Sequence, residues 1–466
     1  MYEGKIRTWF AEHWTEYLTD LAQLVAIPSD KSEPLPGKPF GAGPAAALDC
    51  ALALAEKYGL SSRNLEGYVG LVDLIPGAEE RELEILAHLD VVPAGEGWTV
   101  TEPFVMKRQD GHLYGRGTAD DKGPALAALY AMRAVKELGL PVTKNVRLVL
   151  GTDEECGSSD MAHYYAQVEE APMTFSPDGD FPVINIEKGF FPGGGSWRAA
   201  EKEPQMVSIQ CGVKRNVIPG KARCTLAGVD EEIVKTFAQQ VTEGTGVTFQ
   251  LEHTQAGLEI TAQGQQGHAS TPERANNALT ALLELLCALS LAQTPLVEQL
   301  RTLHQRFPHG DWLGQAAGVA CADQDSGNLT ISLNLLQFDG AVLSFEWDSR
   351  VPVCGQRETL DALPAALTEK GFDMWKEHTE PHCVPEDTPF VQTLLKCYET
   401  YTGLPGYGMA IGGGTYVHEL KNGVAFGCTF PGTDNHMHGA DEMAVEAELR
   451  TSGEIFAEVI AALCGD

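Results

Sequence analysis

The sequence predicts an α/β fold. A mostly parallel sheet sandwiched by helices forms a discontinuous domain, and an α+β domain is inserted into it. Three observations predict it. Strand-like and helix-like segments alternate up to residue 187. The texture then changes between residues 188 and 384, where several strands accompany only two helical stretches. From residue 385 to 466 the alternation returns. The expected domains are therefore 1–187 and 385–466 together, with 188–384 inserted.

Each element has its own signal. Apolar positions at helical spacing (Phe10, Trp14, Tyr17, Leu18, Leu21, Leu24, Val25) predict a helix over 9–26 that Pro28 stops. A second helix is expected over 44–58, ending at Gly59. Strands are expected at 68–75, 82–87 and 145–150, with a helix over 124–138 between the last two. Pro124 suits a first turn and Gly139 a stop. In the inserted domain, strands are expected at 206–210, 248–251, 258–262 and 343–347, and helices at 276–293 and 357–370. The C-terminal part offers a helix, short strands and a last helix over 441–463. No solenoid repeat or low-complexity run interrupts the pattern.

Composition narrows the function. Of 466 residues, 43% are hydrophobic and 21% charged, which is ordinary for a globular protein. The 65 acidic and 33 basic side chains give a net charge of −32, so phosphate backbones are repelled and nucleic acid is not an expected partner. Eleven scattered cysteines without a Cys-x-x-Cys pair read as free thiols in the cytoplasm. The opening residues lack the apolar core of a secretory leader. The most apolar stretch, 278–292, is broken by Glu284 and too short to span a bilayer, so no membrane partner is expected.

The residues that follow the strands carry the chemistry, because ligands in such sheets gather beyond the carboxyl ends of the strands. His88-Leu-Asp90 places two side chains on one side of extended backbone. An imidazole there can bind zinc while a carboxylate holds its other nitrogen. Asp120 precedes a helix, and its two oxygens can bridge two ions. Of the adjacent Glu154 and Glu155, one can bind metal while the other stays free as a base. Asp178 and His438 add a carboxylate and an imidazole. Sharing Asp120 gives each ion three protein ligands and an open position.

Taken singly, these motifs are weak: a lone His-x-Asp or Glu-Glu is more often a surface feature. Together, the strings AHLDVVPAGEGW, GRGTADDKGP, GTDEECGSSD, SPDGDFPVINIEKG and HMHGADE resemble the zinc dipeptidases of the superfamily that includes aminoacylase, carnosinase and glutamate carboxypeptidase. They most resemble the bacterial dipeptidase V type, over residues 10 to 460. That resemblance implies Asp120 bridging two zinc ions. Glu155 and His438 complete one site, and His88 and Asp178 the other. Asp90 orients His88, Glu154 is the catalytic base, and a cis peptide follows Asp120. The inserted domain becomes a lid. His268 in GQQGHASTPERANNA resembles a transition-state-stabilising histidine. Asn216 and Arg350 resemble residues that grip the substrate's C-terminal part, and Gly414 lies in a glycine-rich substrate loop. After that loop the family often has Ala-Arg, where this chain has Val417-His418.

The expected activity is hydrolysis of dipeptides with a free amino end and a free carboxylate, using two zinc ions that cobalt or manganese can replace. A monomer is expected, with a homodimer as the alternative. Two other readings use the same residues: an amidohydrolase of N-acyl amino acids, and an inactive metal- or peptide-binding homologue. Arg350 could also be a structural ion pair. His378-Thr-Glu-Pro-His382 reads as a solvated loop. His436 competes with His438, and the spacing of His438 to Glu442 favours the latter.

Overall fold

The computed structural model describes residues 2–78 and 80–465. It forms two compact units. The first comprises residues 1–186, 382–409 and 414–466, and the second residues 187–381 and 410–413.

The first unit is built on a mixed sheet. Along its main path the strands run Ser61–Leu65, Val69–Asp73, Val146–Gly151, Leu83–His88, Met173–Ser176, Gly423–Ala425, Val183–Glu187 and His382–Cys383. The parallel pairings lie at the centre: Val146–Gly151 with Leu83–His88, that strand with Met173–Ser176, and that one with Gly423–Ala425. The flanking pairs are antiparallel. The parallel character expected from the sequence thus belongs to the four central strands.

These strands are buried along almost their whole length because both faces are covered. Leu83, Ile85, Val146 and Leu148 pack into one large core with the helices Glu3–Val25, Lys122–Glu137, Pro389–Thr402 and Glu446–Cys464. Leu71, Leu86 and Val149 point the other way, into a smaller core with Met161, Tyr164 and Tyr416.

The helix expected over 276–293 ends earlier, spanning Ala278–Ala288, and two further helix starts differ from expectation for physical reasons. The first helix begins at Glu3 rather than at residue 9, since Ile6 and Trp9 extend its buried stripe. The last begins at Glu446 because Met443–Val445 pairs antiparallel with His112–Tyr114 instead.

The second unit holds an antiparallel sheet in the order Thr248–Thr254, Gly257–Gln263, Lys221–Leu226, Met206–Cys211, Thr330–Phe338, Val342–Val351, Gly193–Arg198 and Asp373–Lys376. Its own core gathers Ile209, Leu282, Leu333, Phe345, Trp347 and their neighbours. The helices Glu231–Thr245 and Pro295–Arg306 and the strand Thr330–Phe338 go beyond the expected elements. Their caps were readable: Asp230 accepts from the Glu232 N–H and Thr294 from the Val297 N–H.

Candidate metal centre

Two neighbouring parallel strands supply the first pair of groups. Leu83–His88 ends on His88, and Asp178 follows Met173–Ser176. His88 is fully buried and its backbone N–H donates to Asp121 Oδ2 at 3.0 Å. Its Nδ1 lies 3.0 Å from the Asp90 carbonyl and 3.5 Å from Asp90 Oδ1, which turns Nε2 inward. That nitrogen is 2.9 Å from Asp120 Oδ1 and 3.6 Å from Asp178 Oδ2.

Asp120 sits in a tight loop ahead of the helix Lys122–Glu137, and its peptide bond to Asp121 is cis. A Cβ on Gly123 would fall 2.1 Å from the Thr118 carbonyl oxygen, so only glycine lets the loop close. The second oxygen, Asp120 Oδ2, is 2.9 Å from His438 Nε2, which is 3.3 Å from Glu155 Oε1. One carboxylate thus faces two imidazoles through different oxygens. The ligand atoms of His88, Asp120 and Asp178 lie within 4.8 Å of one another, as do those of Asp120, Glu155 and His438.

Electrostatics explain why such a set suits cations. Burial raises the carboxyls of Asp178 and Glu155 above their usual range, and it raises Glu154 well above, with Asp178 and Glu155 adding repulsion. Burial works against Asp120 too, but His438 and His88 hold its carboxyl low. Asp120 and Glu155 push the His438 imidazole up to about 10. Among the described residues no lysine or arginine pairs with Asp120, Glu154, Glu155 or Asp178. His88 Nε2 and Glu155 Oε1 are buried without a hydrogen bond, an expensive state unless something else satisfies them. A divalent cation would, and an N,O donor set sharing one carboxylate is chemically suited to zinc.

Several supports of this centre escaped the sequence reading. Asp90, expected to orient His88, uses its carboxylate to accept the N–H groups of Glu154 and Glu155 at 3.2 and 3.1 Å. Asp160 accepts from Thr152 N and Asp153 N, and the buried Tyr416 hydroxyl donates to it at 2.6 Å. Glu442 accepts from three backbone N–H groups of the Asp120 loop. The sequence signal was present, since Glu442 and Arg116 lie inside the quoted motifs, but nothing in the string says which acid pairs with which loop.

The other expected residues are placed as follows. His268 and Asn216 lie together in the second unit, where Val217 pairs with His268 and the Asn216 carbonyl accepts the Ala269 N–H. His268 Nδ1 is 2.6 Å from Ser270 Oγ. Arg350, also in the second unit, is buried. It donates to Asp348 at 2.7 and 3.1 Å and to the Gly412 carbonyl. Gly414 opens the return into the first unit and is exposed. His436 is exposed and 3.9 Å from Asp434. The solvated-loop reading of 378–382 is corrected: His382 is buried in a short strand, with Nε2 2.6 Å from the Gly423 carbonyl, and the His378 side chain is covered as well.

The model of peptidase family M20/M25/M40 matches residues 85–462. The chain belongs to that family. This M20-family peptidase is 36% identical over 467 residues to the Beta-Ala-Xaa dipeptidase of Lactobacillus delbrueckii subsp. lactis, with 96% of each chain covered. Among solved structures it is similar to human carnosine dipeptidase 1, with a TM-score of 0.59 and 15% identity, covering 100% of this chain and 99% of that one. The di-peptidase Dug1p of Saccharomyces cerevisiae gives a TM-score of 0.57 at 12% identity, covering 99% and 98%. At those identities the two structures show a shared fold. The resemblance carried by the motifs and the family match therefore lead to the same peptidase family. No helix among the described residues is long and apolar enough to cross a membrane.

Proposed function

We propose that this M20-family peptidase is a dipeptidase that works with two zinc ions, for which cobalt or manganese can substitute. One observation carries the reading: Asp120 presents separate oxygens, each 2.9 Å away, to His88 and His438. His88 and Asp178 would hold one ion, Glu155 and His438 the other, and Asp120 both. The ions would supply a water acidic enough to attack at neutral pH and would polarise the scissile carbonyl.

The chain's own groups do the rest. Glu154 takes the proton of the attacking water and returns it to the leaving amine. Its N–H is fixed by Asp90, so its backbone cannot drift while the carboxylate works. His268 donates to the developing oxyanion. Three of the five N–H donors of Arg350 are engaged with Asp348 and Gly412, and the two that remain can hold a substrate carboxylate in a guanidinium already fixed in place. Asn216 and Gly414 line the peptide. We assign the second unit, residues 187–381 and 410–413, the part of a lid. The name of the Lactobacillus relative supports a dipeptide substrate. The eleven scattered cysteines, without a Cys-x-x-Cys pair, suit the cytoplasm, and we take the enzyme to act as a monomer.

The test is a metal analysis joined to a substrate panel. Two zinc ions per chain and turnover of dipeptides, lost with chelator and restored by zinc, are expected. Faster turnover of N-acetyl amino acids than of dipeptides would instead make it an amidohydrolase. Bound metal with no turnover of either class would leave an inactive homologue.

A further inference from the structure

The two sets of metal-ligating groups are supported differently. His88 closes a central strand and Asp178 follows the next one, whereas His438 belongs to no helix or strand. Its segment twists through left-handed backbone at His436, His438 and Asp441, with φ of 54°, 62° and 56°. Left-handed conformations are uncommon for residues other than glycine, so something must hold them.

At Asp441 the carboxylate accepts from Thr99 and from the Val100 N–H, and beside His438 the hold is a buried pair. Arg116 and Glu442 are 1% and 0% exposed, and Arg116 Nη1 donates to Glu442 Oε2 at 2.6 Å. Each member then reaches across to the other's ligand loop. Arg116 Nη2 donates to the carbonyl of Gly439, the neighbour of His438, at 3.1 Å. Glu442 Oε1 accepts the N–H groups of Gly117, Ala119 and Asp120 at 3.0, 3.1 and 3.2 Å. The strand pairing of Met443 with Tyr114 and the bond from the Gly115 N–H to the Glu442 carbonyl bring the two loops together.

We propose that Arg116 and Glu442 are positioning residues that set the distance between His438 and Asp120, and so the affinity of the Asp120/Glu155/His438 site for its metal ion. The inference rests on the two-metal reading above. The pair touches neither Asp178 nor the side chain of His88, and Arg116 bonds the Gly439 carbonyl beside His438, so its larger influence falls on the Asp120/Glu155/His438 site. A buried pair is weak evidence for stability, whereas the hydrogen bonds of this one run to both ligand loops. Partners behind a ligand commonly change metal affinity ~10–100-fold when altered.

The experiment is calorimetric titration of the chelator-stripped full chain with zinc chloride, repeated with cobalt while following its absorption. The wild type should show two binding steps; if it binds no metal, the two-metal reading fails rather than the clasp. In Glu442→Gln one step should weaken ~10–100-fold while the other, which shares only Asp120, weakens clearly less. Arg116→Lys keeps the charge but cannot reach both Glu442 and the Gly439 carbonyl, and it should weaken the same step by less. Thermal unfolding of the stripped proteins checks that each variant folds. Wild-type affinity at both steps, or equal weakening of both, overturns the proposal. So does failure of both variants to fold, because the pair would then serve the fold and not the site.

Discussion

His88 and His438 approach the same aspartate from unlike supports. His88 is wholly buried at the end of a strand hydrogen-bonded on both sides. His438 leaves about half of its side chain exposed, on a loop fixed by Arg116, Glu442 and a few backbone bonds. A ligand on a central strand costs nothing extra to position, because burial of the sheet has already fixed it. A ligand on a loop must be positioned by polar contacts made for that purpose. The difference predicts that damage at His88 spreads to the fold, while damage at His438 stays in the chemistry.

Exchanging each for alanine tests this most severely. Both changes should cut turnover at least ~10³-fold, since the electrostatic work of a bound ion is worth several kcal/mol. They should part in thermal unfolding of the stripped chain. His88→Ala leaves a hole beside the core and should cost ~1–3 kcal/mol, whereas His438→Ala, with about half of its side chain exposed, should cost less. Equal losses of stability would erase the distinction between the supports.

The same contrast marks how far the sequence could be read. The α/β alternation, the strands ending near His88 and near Glu154, and the acids after them were all visible, because local pattern fixes strand ends. The joining of His438 to Asp120 was visible only through resemblance to a family, since 318 residue numbers separate them and no periodicity links a loop to a distant loop. The clasp and the Asp160–Tyr416 contact were illegible for the same reason. Hydrogen bonds to backbone N–H groups leave no trace in side-chain pattern. His382 shows the opposite error: a polar-looking segment is buried because its imidazole finds the Gly423 carbonyl.

Glu154→Gln sharpens the comparison from the side of the base. Glutamine keeps the shape and the Asp90 contact to the backbone but cannot carry a proton, so turnover should fall ~10²–10⁴-fold. Metal content should stay at the wild-type value, because Glu154 belongs to neither group of ligands. Loss of an ion in this variant would mean that the loop-held half depends on Glu154 as a ligand.

A smaller effect comes from Asp160, the strut beneath the Glu155 arm. Its carboxylate accepts from Thr152, Asp153, Met161 and the Tyr416 hydroxyl. Burial nevertheless pushes it from 3.8 up to about 6, with Tyr416 and the Thr152 N–H pulling it back. Because the folded state holds this proton more tightly than the unfolded chain, its contribution to stability is greatest below about pH 4 and is lost as pH rises through 6. A rise of that size is worth ~3 kcal/mol at most. Asp160→Asn has no proton to lose. The stability gap between the two stripped proteins should therefore change by up to ~3 kcal/mol between pH 4 and 7, and remain flat above. Parallel curves across that window would mean that the four donors, not burial, govern Asp160. The Glu155 arm would then rest on a carboxylate ionised at every working pH, as firmly placed as the strand beneath His88.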